Sequence, residues 1–260
     1  MHPKALILHA TGTNRDIDAA QAFELAGAVP EIVHLNQLRS HEKRWQDYQI
    51  LVLPGGFSYA DALGAGKLLA LELKAFFADE VRTFVETGKP VIGICNGFQA
   101  LVKSGILPDM ADPTVDPLAT LTFNAGGHFE CRWVTLQPLS STCLWTRGLS
   151  QLIECPIAHG EGNFHPRDAQ VTARLLHHDQ IALVYTCPDG QLAGGSYPAN
   201  PNGSVLDIAG ICNPRGNVLG LMPHPEDHIF PHQHPRWTRG EHSGSGLPLF
   251  LNGVRFASQM

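Results

Sequence analysis

The sequence predicts an α/β fold, with a mostly parallel sheet, helices on both faces and additional antiparallel strands. Three observations predict it. In the first half, short apolar runs alternate with stretches of helical period, as they do where strands are buried on both faces. In the second half the period switches to two: Phe129, Cys131 and Trp133 alternate with Glu130 and Arg132. The chain of 260 residues is 43% hydrophobic and 16% charged, enough apolar material for one sizeable core. With no repeat and no flexible linker, residues 1–260 read as a single domain.

Each element follows from local chemistry. Residues 4–10 form the first buried strand, and Thr13 or Asn14 is placed to cap a helix with Ala19, Ala22, Phe23 and Ala26 on its inner face. Asp16 and Asp18 suit the positive end of that helix. Residues 31–35 and 49–53 are the next strands, the second stopped by Pro54-Gly55-Gly56. Leu73, Phe76, Phe77, Val81, Phe84 and Val85 then keep one helical period until Gly88 and Pro90. Residues 90–94 are a short strand and 98–104 a helix ended by Gly105. Later strands are expected at 181–185, 204–212 and 217–222, an irregular C-terminal segment at 229–248, and a closing helix at 249–258.

Bulk properties exclude several classes. A net charge of -6 argues against a nucleic-acid binder working through a broad basic surface. No apolar run approaches the roughly 18 residues of a membrane span, and the one near the N-terminus is too short for a signal peptide. The six cysteines include no Cys-x-x-Cys pair, so reduced thiols and a cytoplasmic location are expected. Apart from Cys95, they read as small buried hydrophobes.

Three segments carry chemistry. Gly93-Ile94-Cys95-Asn96-Gly97 ends a strand and opens a helix, the pattern of a nucleophile elbow with cysteine in place of serine. The helix N-terminus would favour the Cys95 thiolate, and the Asn96 amide would face a developing oxyanion. A structural cysteine in a strand–helix corner satisfies the same pattern. Among fourteen histidines, His224 stands out in Pro223-His224-Pro225-Glu226: it follows an apolar strand, and Glu226 could hold its tautomer. A solvated surface pair is the bland alternative. Gly55 and Gly56 end another strand, and the Gly56 amide could be a second oxyanion donor; a plain glycine turn fits equally.

These segments, with Phe57-Ser58-Tyr59, His159-Gly160-Glu161-Gly162, the run from Asn202 to Gly220 and Phe129 to Val134, resemble the class I, triad-type glutamine amidotransferases. They are most similar to the glutaminase subunits of phosphoribosylformylglycinamidine synthase. The resemblance implies a flavodoxin-like sheet and a Cys95–His224–Glu226 triad. It implies oxyanion or substrate contacts from Gly55, Gly56, Asn96, Gln99, His159 and Gly160. It also implies no metal or cofactor for the glutaminase step, a large synthetase partner using ATP and magnesium, and a small bridging subunit. The family usually carries arginine where this chain has Gly64. The stretch His232–Arg239 is longer than in short relatives, and a partner contact is expected there. Rivals are an amidotransferase for another acceptor, a catalytically silent regulatory subunit and another cysteine-elbow protein. A zinc site among His224, His228, His232, His234 and His242 is disfavoured because Pro231 and Pro235 break a helix.

Overall fold

The computed structural model describes residues 2–110 and 117–260. Strands and helices alternate at first: β1 (Lys4–His9), α1 (Asp16–Leu25), β2 (Val29–His34), α2 (Leu35–Arg39), β3 (Ile50–Leu53), α3 (Lys67–Phe76), α4 (Ala78–Glu86), β4 (Val91–Ile94) and α5 (Asn96–Lys103). A strand-rich half follows: β5 (Ala119–Thr122), β6 (Glu130–Pro138), β7 (Ile153–His159), β8 (Asn163–Pro166), α6 (Ala169–His177), β9 (Ile181–Thr186), β10 (Ile208–Cys212), β11 (Val218–Leu221) and α7 (Leu247–Ala257).

Nine strands form one sheet in the order β2-β1-β3-β4-β11-β10-β9-β6-β7, while β5 pairs with β8 apart from it. From β2 to β11 every neighbour is parallel. From β11 to β7 every neighbour is antiparallel. Strands β3 and β4 are buried at every residue, which requires cover on both faces. α1 packs with α7 and α3 with α5. Phe23 of α1 meets Phe250 of α7 edge-on at 5.3 Å, and Phe98 of α5 stacks on Phe164 of β8 at 6.1 Å. Each such buried ring contributes about 1.5–3 kcal/mol.

The structure corrects four local expectations. Thr13 and Asn14 do not cap α1, which starts at Asp16 with no side-chain cap. Thr13 instead bridges to Gly56 and takes a hydrogen bond from the Ala10 amide at 3.2 Å. The helix expected through Leu73 and Val85 is two, broken at Phe77 (φ -134°, ψ 16°). Phe76 lies outside the core, under the Arg39 guanidinium at 3.7 Å. The strand expected from residue 204 starts only at Ile208, because Leu206 and Asp207 are left-handed (φ 54° and 55°). Asp207 uses that turn to accept from the amides of Gly194 and Gly195 at 2.7 and 2.8 Å. Cys131 is exposed and Cys187 half-buried, so neither is a core residue.

What positions the site is the seating of α5 on the parallel block. A Cβ at Gly97 would lie 1.9 Å from the Leu53 carbonyl oxygen of β3, so only glycine lets the helix approach this closely. Gly97→Ala is therefore expected to lower stability by about 1–3 kcal/mol through overpacking, read as a drop in the urea midpoint. An unchanged midpoint would contradict this seating.

Candidate active site

β4 runs straight into Cys95, whose backbone is strained (φ 49°, ψ -104°). For a residue with a Cβ this conformation costs about 1–3 kcal/mol and persists only where neighbours hold it. Here the Cys95 amide donates to the Leu221 carbonyl at 2.7 Å, and its own carbonyl accepts from the Gln99 amide at 3.0 Å. The turn leaves Cys95 at the N-terminus of α5, where a thiolate is favoured.

β11, the parallel neighbour of β4, leads into His224. The His224 amide donates to the Pro156 carbonyl at 2.9 Å, and its Nδ1 lies 2.7 Å from Glu226 Oε1. Both side chains are buried. A Cβ at Gly55 would stand 2.6 Å from His224 Cε1 and 3.5 Å from Cys95 Cβ. Gly55 thus marks where the imidazole and the nucleophile turn come together.

Electrostatics follow from that meeting. Burial pushes the Cys95 thiol up, but the charge of His224 and hydrogen bonds from His159 and His224 more than offset it, bringing the thiol down to about 6. Burial pulls His224 down, yet Glu226 and Cys95 hold it well above the usual imidazole range. Both shifts favour an imidazolium lying between the sulfur and the Glu226 carboxylate. Cys155 on β7 behaves oppositely: burial and the charges of Glu226 and Asp227 push its thiol well up. Asp227 is itself raised to about 6 by burial and by Glu226, although Arg15 sits 3.3 Å away.

The remaining predicted residues surround this core. Gly56 has φ 118°, and a Cβ there would strike Asn14 Oδ1 at 2.4 Å. The following turn is left-handed at Tyr59, Ala60 and Asp61. The Asn96 side chain spans it: Oδ1 accepts from Ser58 Oγ, and Nδ2 donates to Asp61 Oδ1 at 2.9 Å. Gln99 Nε2 donates to the Glu161 carbonyl at 2.7 Å, tying α5 to the loop after β7. The Glu161 carboxylate accepts from the Ala65 amide at 3.1 Å and pairs with Lys103 at 3.1 Å. A Cβ at Gly64 would meet Lys103 Nζ at 3.8 Å and Glu161 Oε2 at 4.0 Å, so position 64 borders the Glu161–Lys103 pair. His159 Nε2 lies 2.8 Å from Asn202 Oδ1, and the Gly160 carbonyl accepts from the Asn124 amide at 2.9 Å. A pocket of about 160 Å³ is lined by Cys95, Gly56, Gln99, His159, Gly160 and Glu161, with Phe57, Phe123 and Phe129 at its rim.

Sequence reading missed Ser58, Asp61, Asn124 and Asn202 as supports of the site. All four lie in turns or loops, where polar residues are ordinary, so their partners in distant segments are visible only in the fold.

Two of the C-terminal histidines, His228 and His234, are buried, while His232 and His242 are exposed. His228 Nδ1 lies 2.6 Å from the Glu154 carbonyl and His234 Nε2 2.7 Å from the Glu154 carboxylate, with Trp133 edge-on to both rings. Among the described residues no group of three or more His, Cys, Asp or Glu is arranged to hold a metal. Among them, too, no helix is long and apolar enough to cross a membrane.

Known proteins resemble the chain over nearly its whole length. Residues 2–257 match the family model of the CobB/CobQ-like glutamine amidotransferase domain. A Treponema denticola protein, phosphoribosylformylglycinamidine synthase subunit PurQ, is 55% identical over 98% of this chain and 99% of its own length. The Dehalococcoides mccartyi protein of the same name is 44% identical over 99% and 98%. The structure of PurLQS from Thermotoga maritima contains a chain 31% identical, with TM-score 0.75, covering 98% of this chain and 99% of that one. The glutaminase domain of Trypanosoma brucei CTPS, 13% identical with TM-score 0.54, shares the fold. The chain belongs to the glutamine amidotransferase family and, within it, groups with the PurQ-type subunits.

Thiolate appears as pH rises through the depressed thiol value, so alkylation of Cys95 by iodoacetamide is expected to rise with a midpoint near 6. In His224→Ala the main lowering influence goes while burial and the hydrogen bond from His159 remain, so the midpoint rises above 6 and the alkylation rate at pH 7 falls. Peptide mapping across pH checks this, and an unmoved midpoint would contradict it.

Proposed function

We propose that this chain hydrolyses glutamine to glutamate and ammonia as the glutaminase subunit of a phosphoribosylformylglycinamidine synthase. The ammonia passes to a synthetase partner that converts formylglycinamide ribonucleotide to formylglycinamidine ribonucleotide in de novo purine biosynthesis. The observation that carries this reading is the buried His224–Glu226 pair, 2.7 Å long, beside a thiol depressed to about 6. The full-length likeness to PurQ subunits from two bacteria supports the acceptor chemistry.

The steps follow from the residues. The Cys95 thiolate attacks the carboxamide carbon, and the carbonyl electron pair moves onto oxygen. The amides of Gly56 and Asn96 stabilise that oxyanion. His224, already protonated, gives its proton to the nitrogen, and ammonia leaves with a thioester on Cys95. Neutral His224 then takes a proton from water as the hydroxide adds to the thioester, and collapse releases glutamate and restores the thiolate. Glu226 stabilises the imidazolium at both ends of the cycle. Gly55 leaves room for the imidazole, and Gln99 with the loop of His159 and Gly160 walls the substrate pocket.

The large synthetase uses ATP and magnesium to activate the acceptor amide, and a small subunit bridges the two; likeness to the PurLQS structure supports such an assembly. The glutaminase step itself uses no metal or cofactor in this reading, and the assembly is cytoplasmic.

Cys95→Ala in the reconstituted complex is expected to abolish glutamine-dependent synthesis and retain ammonia-dependent synthesis. Persistence of both activities would remove Cys95 as nucleophile. Loss of both would assign the chain a structural role instead.

A further inference from the structure

A second cavity, of about 540 Å³ against about 160 Å³ for the pocket at Cys95, opens between the start of α3, the end of α5 and the β5–β8 pair. Strands β5 and β8 pair with each other apart from the main sheet, which leaves a cleft beside the helices. Thr120 lies opposite His165 and Ala119 opposite Pro166, and all four line it. The helices supply Lys67, the first residue of α3, and Lys103, the last of α5. Gly66 brings these two together: a Cβ there would lie 2.8 Å from the Ala100 amide nitrogen, so the start of α3 is pressed onto α5.

The cleft is basic in an acidic chain. Net charge is -6, yet three of the 18 Lys and Arg, namely Lys67, Lys103 and Arg167, border this one cavity. None of the described residues lining it is Asp or Glu. Arg167 is engaged with Asp168 at 3.1 Å, so it adds to the wall rather than to the donors. Lys67 has no side-chain hydrogen bond or ion pair among the described residues. It opens a helix with no side-chain cap and no acid in its first turn, so the helix end adds to the positive potential. Lys103 donates to the Ala65 carbonyl and, at 3.1 Å, to Glu161. An ammonium has three hydrogens, so one remains. Glu161 lines the pocket at Cys95, and the Lys103–Glu161 pair therefore partitions the two cavities.

Cations gathered in a concave site repel one another and focus a field that an anion relieves. The volume falls within the roughly 300–1,000 Å³ of small-molecule sites, well beyond what one phosphate fills. Pro117, Ala119 and Pro166 offer apolar surface for an organic portion. We propose that this cleft binds a small phosphate ester, with Lys67 and Lys103 on the phosphate oxygens and Thr120 and His165 as further hydrogen-bonding groups. The site is separate from the glutamine pocket and does not depend on the glutaminase reading.

Calorimetric titration of the full chain with a sugar phosphate, ribose 5-phosphate, and with inorganic pyrophosphate tests it. The parent is expected to bind ribose 5-phosphate with a dissociation constant below about 1 mM, weakening as sodium chloride is raised. Lys67→Met should bind about tenfold more weakly, the worth of one charge-assisted hydrogen bond. His165→Leu should also weaken binding, and it carries the test if melting curves show that the lysine variant does not fold. Alkylation of Cys95 at pH 7 should keep the parent rate in Lys67→Met, which separates this cleft from the catalytic pocket. Absence of binding at millimolar ribose 5-phosphate, or equal binding by the parent and both folded variants, overturns the proposal. Binding of pyrophosphate alone overturns the ester and leaves an inorganic anion site. A glutamate-rich peptide that displaces ribose 5-phosphate at lower concentration overturns it in favour of an acidic protein segment.

Discussion

One register between two parallel strands holds the site together. Ile94 of β4 lies opposite Leu221 of β11, and the Cys95 amide reaches back to the Leu221 carbonyl at 2.7 Å. The chain thus leaves one strand into the nucleophile turn and the adjacent strand into the segment carrying His224. Strand pairing has a period of two, so a slip of one residue would turn every side chain to the opposite face and separate the pair. The central place of β3, β4 and β11 makes such a slip costly, because their residues are buried on both sides. Residues far apart in sequence therefore meet through backbone hydrogen bonds.

Burial then makes the meeting electrostatically demanding. A thiol, an imidazole and a carboxylate removed from water each resist charge, and the site works because each offsets the next. The margin is narrow on the Glu226 side: its second oxygen, Oε2, has no hydrogen-bond partner, and Asp227 follows immediately. His224 consequently stabilises the protein as well as the thiolate. The strained Cys95 backbone is held by its bonds to Leu221 and Gln99, and the left-handed turn from Tyr59 to Asp61 by the Asn96 side chain. Strain of this kind concentrates where geometry serves chemistry rather than stability.

Much of this was legible in the sequence because it is written locally. Buried strands show as apolar runs, and the elbow shows because its turn demands glycine on both sides of Cys95. His224 shows because prolines and Glu226 give it a rigid, paired setting. What stayed hidden depends on contacts between distant segments. β7 and β8 escaped because Pro156 sits inside β7 and β8 is four residues long. The Thr13–Asn14 segment looked like a helix cap, but its chemistry is spent on Gly56 across a turn. Asn202 reads as a loop residue, and its hold on His159 exists only after folding brings β7 and the loop before β10 together.

The central claim is that Cys95 is the nucleophile for a glutamine carboxamide. A diazoketone analogue of glutamine, incubated with the complex and followed by peptide mass spectrometry, tests it most directly. The account predicts one adduct per chain, on Cys95, prevented by excess glutamine. An adduct on the more exposed Cys131 or Cys187 with Cys95 unmodified would contradict it.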